Sequence, residues 1–177
     1  MTPEWAPGPS PPGARMVSGD RVLRSLSDAP WLPPGGRADV VLADVASPVP
    51  RPTCVVRLLA TRDGHVLTVP RGDGTGLDIP SVRVAAQSVD ECLQELTVRA
   101  LGKPRPATML GHVRNAVTQP SEGYPWPVPD AYFSVFHCEV PSDSEGHGEW
   151  LAPSAARAQL HARHWWPLAA HVLGLAY

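Results

Sequence analysis

The chain has 177 residues and a formal net charge of −2, with a sequence pI of about 6.4. That length suits one domain with a sizeable core. The near-neutral charge excludes a surface that holds polyanions by bulk charge, so neither nucleic acid nor an anionic membrane is expected as a partner.

Cys54, Cys92 and Cys138 lie far apart and form no CxxC pair, which favours buried, reduced thiols over a disulfide framework. The opening residues lack the basic and apolar blocks of a signal peptide, and no run approaches the ~18 apolar residues of a membrane span. A cytoplasmic protein is expected. Lys103 is the single lysine among 15 basic residues. With the abundant Ala, Pro, Gly and Arg, this suggests a GC-rich bacterial gene.

Of 22 prolines, 11 lie within residues 1–52. Proline fixes φ and removes an amide donor, so residues 1–36 read as a Pro-rich arm, partly disordered, and 37–177 as the folded domain. Within the arm a short helix is expected around residues 21–26. Pro33-Pro34-Gly35-Gly36 then breaks the chain. Residues 40–45 predict a first strand.

Residues 55–60 (VVRLLA) form a nearly continuous apolar run, as in a strand covered on both faces. Asp63-Gly64 signals a tight hairpin, and residues 66–70 return. A glycine-rich loop, Leu77-Asp78-Ile79-Pro80 and a helix over 88–101 follow. Ser88 and Glu91 have the spacing of a capping box. Val89, Cys92, Leu93, Leu96 and Ala100 make one apolar stripe, and Gly102 is placed to end the helix. Strands are expected at 107–117, 131–140 and 149–151, and helices at 154–162 and 166–173. Strands on both sides of a helix, with helices at the end, predict an α/β layered domain.

Hairpin, glycine-rich loop, Ile79-Pro80, helix, Gly102, then Glu149-Trp150-Leu151 before a terminal helix: in this order the chain resembles the Nudix family. The likeness covers about residues 38–173. It implies an α/β/α sandwich with a central mixed sheet, hydrolysis of nucleoside diphosphate-type substrates, and Mg2+ held by helix glutamates. In that family a Leu-Pro-Gly-Gly element precedes the helix, and Ile79-Pro80-Ser81-Val82 stands there in this chain.

Magnesium wants hard oxygen ligands, and a helix offers them when carboxylates sit three or four positions apart. No alignment register keeps more than one of the family's three metal-site carboxylates. Anchored on Gly102, the arginine and glutamates of the pattern fall on Glu95, Leu96, Arg99 and Ala100. The candidates that remain are Glu91 and Glu95 as metal ligands, with Glu95 and Glu149 as catalytic acids. Arg57, Tyr124 and Trp126 are the substrate-binding candidates.

The same residues carry a second reading. Glu91, Glu95 and Arg99, spaced by four and off the apolar stripe, make a solvated ladder worth a few tenths of a kcal/mol. With the metal face filled by Leu96, Arg99 and Ala100, the alternative function is a non-catalytic module that binds a nucleotide-like small molecule or a protein partner. Trp126, in its proline-rich loop, could equally plug the core or serve a homodimer contact. Residues 71–78 (RGDGTGLD) could offer amides to phosphate or simply connect two elements. His161, His164 and His171 have helical spacing but no completing ligand, which favours surface or packing roles.

Overall fold

The structure is a computed structural model, and it describes residues 19–177. The elements run β1 (Arg21–Ser27), β2 (Arg37–Leu42), β3 (Thr53–Arg62), β4 (His65–Pro70), β5 (Leu77–Asp78), β6 (Ser81–Arg83), α1 (Val89–Leu101), β7 (Thr108–Ala116), β8 (Asp130–Glu139), β9 (Glu149–Leu151), α2 (Pro153–Leu160) and α3 (Trp166–Val172). Strand order is β1-β2-β7-β8-β3-β4-β5, with β6 added to β3 and β9 to β4. Strands β3 and β8 pair in parallel and the other pairs are antiparallel, so the sheet is mixed.

Strand alternation explains the layering. On β3, Val56, Leu58 and Ala60 face α1, where Cys92, Leu96, Ala100 and Leu101 complete one core. Val55 and Leu59 point the other way, onto Leu160, Trp165 and Leu168 at the C-terminal helices. Helices therefore cover both faces of the mixed sheet, and the fold is an α/β sandwich, as the pattern of elements predicts. The continuous apolar run of β3 is the consequence of that double cover. Among the described residues no helix is long and apolar enough to cross a membrane.

Helix α1 starts and stops where its sequence says. Glu91 N–H donates to Ser88 Oγ at 3.2 Å and Ser88 N–H donates to Glu91 Oε2 at 2.7 Å, closing the capping box. Gly102 ends the helix in the left-handed region at φ 74°.

The helix expected around residues 21–26 is instead strand β1, the sheet's edge, paired antiparallel with β2. A register shift between Val22 and Arg24 explains the misreading. Leu23 and Leu26, three apart as on a helix, are both half-buried because a bulge offsets the strand's alternation. The sheet thus reaches Arg21, within the segment set apart as an arm, and residues 1–18 lie outside the described residues. The Pro33–Gly36 break is a closed connection between β1 and β2, held by Asp28 N–H to Gly36 O at 2.8 Å and Gly36 N–H to Pro33 O at 2.9 Å.

Candidate functional site: an arginine-lined cleft

Arg57 interrupts the apolar run of β3. Alternation turns its side chain to the same side as Val55 and Leu59, towards the turn between α2 and α3. There a cleft of about 770 Å³ opens. The loop after β4 supplies Arg71 and Asp73, and β5 supplies Asp78. Helix α1 supplies Arg99, the α2–α3 turn Arg163 and His164, and the β1–β2 connection Trp31.

Asp78 is the hub of the cleft floor. Its Oδ1 accepts from Trp165 Nε1–H at 3.0 Å and from the Ile79 amide at 2.8 Å. It also lies 3.5 Å from Arg57 Nη1, and its Oδ2 lies 3.8 Å from Arg71 Nη1. Arg71 in turn grips Asp73, with Nη2 to Oδ2 at 2.6 Å. Asp73 also accepts from the Thr75 amide and hydroxyl. The Arg71 hydrogen bond, seconded by Thr75, holds the Asp73 carboxyl far below the usual carboxylate range, and Asp73 raises Arg71 in return. Arg163 Nη2 donates to Leu77 O at 2.8 Å, and among the described residues no carboxylate pairs with its charge. Both carboxylates of the lining are thus occupied by protein groups.

The lining holds four guanidiniums (Arg57, Arg71, Arg99, Arg163) against two carboxylates. Glu95 reaches Arg99 from the rim at 3.6 Å, so at least one positive charge remains uncompensated. The Nε groups of Arg57 and Arg163 are buried without a hydrogen-bond partner among the described residues. Burial pulls the Arg57 guanidinium below its ordinary value, while Asp78 pulls it back up. An arginine still stays charged throughout the physiological range. The His164 imidazole is pushed down to about 3, first by burial and then by Arg57, Arg163 and Arg71. It is therefore neutral at pH 7 and sits within the field of three arginines.

Of the catalytic, metal and substrate-binding candidates taken from the sequence, Arg57 lines this cleft, and so do Arg71, Gly72, Asp73 and Asp78 of the glycine-rich loop and His164. Glu91 is committed to the cap of α1. Glu95 sits on the exposed face of the same helix, its side chain 49 % exposed, near Arg99 and Gln87 Nε2. Glu149 is exposed at the start of β9, where its carbonyl accepts from Thr68 Oγ1 at 2.9 Å. Trp126 packs edge-on against Phe133 at 5.0 Å with the Arg83 guanidinium 4.4 Å over its ring. The Tyr124 hydroxyl is buried. His161 is exposed, bonded to Arg157 O, while His164 stacks near Trp31.

A magnesium centre does not fit these residues. Among the described residues no three His, Cys, Asp or Glu side chains come together as a ligand set. The two acids nearest the cleft's centre already neutralise arginines, and the surplus positive charge would repel a divalent cation.

No protein-family profile matches the chain, and neither does any curated protein sequence. Among solved structures the chain is similar to a point variant of the pyrophosphohydrolase BsRppH from Bacillus subtilis, with 12% identity, TM-score 0.48, and coverage of 70% of this chain and 68% of that one. It is also similar to a NUDIX hydrolase from Nitrosomonas europaea, with 16% identity, TM-score 0.48, and coverage of 72% and 93%. A third similar structure is a mutator MutT protein from Bacillus halodurans, with 17% identity, TM-score 0.41, and coverage of 67% and 80%. The activities in those names are those proteins' own.

Proposed function

We propose that the protein binds a phosphorylated, nucleotide-like small molecule in the arginine cleft and does not hydrolyse it by a magnesium-assisted route. One observation carries this reading: four guanidiniums line a cleft whose two carboxylates are already engaged by protein groups. An anion with several acceptor oxygens offsets the cleft's surplus positive charge, and guanidinium geometry suits phosphate. Hydrolysis would need a carboxylate free to hold a cation or to activate water, and Asp73 and Asp78 are spent on arginines and on Trp165.

The order of segments supports a second reading, a Nudix-type pyrophosphohydrolase in which Glu95 and Glu149 serve as acids and magnesium bridges the substrate. The two readings part in a turnover assay with nucleoside diphosphates and excess magnesium. Under the binding reading, release of phosphate or mononucleotide stays at background, and Glu95→Gln and Glu149→Gln change neither the assay nor ligand affinity by more than about twofold, as for exposed charges. Turnover that vanishes in either variant would establish the hydrolase.

A further inference from the structure

Trp31 lies at the cleft wall and is 47 % exposed, an unusual state for a residue with the largest apolar side chain. Its position is set by a stiff holder. Leu32 N–H donates to Ala29 O at 2.8 Å, which makes residues 29–32 a turn with Pro30 at its second position and Trp31 at its third. A second turn follows, closed by Gly36 N–H to Pro33 O, with Pro34 and Gly35 (φ 78°) in its centre. Gly35 N–H donates to Asp28 Oδ1 at 2.8 Å, and buried Ala29 anchors the loop. A Cβ on Gly36 would meet Leu32 Cβ at 2.8 Å, so the two turns are folded tightly on each other. Proline and hydrogen bonds together fix this loop before any ligand arrives.

The indole lies 5.6 Å from the His164 ring, centroid to centroid, tilted by 33°. That histidine stands among the arginines of the anion site, so the exposed ring borders the place where a phosphate would sit. The part of this ring left exposed beside His164, next to a cluster of guanidiniums, offers stacking and charge to one ligand at once. Trp126 lacks this geometry, because Phe133 and Arg83 already occupy its ring.

We infer that Trp31 is the stacking wall of the arginine cleft, so the ligand joins a flat aromatic ring, such as a nucleobase, to its phosphate. This rests on the anion-binding reading above. The test is calorimetry on the full chain with ADP and with inorganic pyrophosphate, for the wild type, Trp31→Ala and Trp31→Phe. The wild type should bind ADP more tightly than pyrophosphate by roughly 5- to 100-fold, the range a stacked base contributes. Trp31→Ala should erase that preference while leaving pyrophosphate affinity unchanged, and Trp31→Phe should restore part of it. The exposed position makes loss of folding avoidable, and an unchanged melting temperature checks it. An ADP preference that survives in Trp31→Ala, or none in the wild type while pyrophosphate binds, overturns the role of Trp31 alone. Absence of binding by both ligands overturns the anion site and this inference together.

Discussion

Asp78→Ala is expected to destabilise the protein by about 3–5 kcal/mol, the cost of leaving a buried guanidinium without its partner. Arg57 and Asp78 have side chains only 13 % and 14 % exposed, so solvent screens the pair weakly. The same carboxylate accepts from Trp165 Nε1–H and the Ile79 amide, so truncation also strands two donors in the interior. Asp78→Asn keeps an oxygen for those donors and loses only the charge, and a smaller loss of about 1–3 kcal/mol is expected. The asparagine variant should also bind pyrophosphate more tightly, because the cleft then carries one more uncompensated positive charge. Urea denaturation at unchanged m-value gives the stabilities. Losses under about 1 kcal/mol in both variants would show that Asp78 is not the counter-ion that organises the cleft.

Gly111→Val should cost about 3 kcal/mol or more, at the upper end for overpacking. Gly111 sits in β7, opposite Leu42 on one side and Val135 on the other. A Cβ there would overlap the Val41 carbonyl oxygen and approach Leu168 Cδ2 to 2.7 Å and Leu42 Cα to 3.2 Å. Two of these three neighbours are backbone atoms of β2, which cannot turn aside as a side chain can, so the strand pair or α3 must shift. Gly72→Ala, with nothing within 4 Å of its added carbon, should keep the unfolding free energy within about 0.5 kcal/mol of wild type. Equal midpoints for Gly111→Val and Gly72→Ala would contradict this packing of β2 on β7.

Where residue pattern and neighbours act locally, the fold was legible. Helix α1 carries its own stripe, cap and stop signal, and the hairpin after β3 carries its Asp-Gly turn. Strand β1 was not legible, because its bulge imitates helical spacing and its pairing with β2 decides the outcome. Strands β5 and β6, of two and three residues, are too short to show any period. The site was legible at Arg57, a lone charge inside an apolar strand, which demands either a partner or a ligand, and in the glycine-rich segment 71–78, which supplies Arg71, Asp73 and Asp78 to the cleft. Trp31, Arg99 and Arg163 come together from distant segments, and nothing in their local sequence announces it. Glu91 had two roles available from sequence, cap and metal ligand, and the hydrogen bonds with Ser88 occupy it as a cap. Trp126 drew notice because its loop is aromatic and proline-rich, yet the exposed aromatic at the cleft is Trp31.

Arginines, rather than a magnesium ion, are expected to neutralise the ligand. Calorimetric titration with pyrophosphate, once in EDTA and once in excess magnesium, separates the two cases. Binding in EDTA should be at least as tight as in magnesium, since a bound cation cancels negative charge that the guanidiniums of the cleft would meet. Binding that requires magnesium and disappears in EDTA would contradict that expectation.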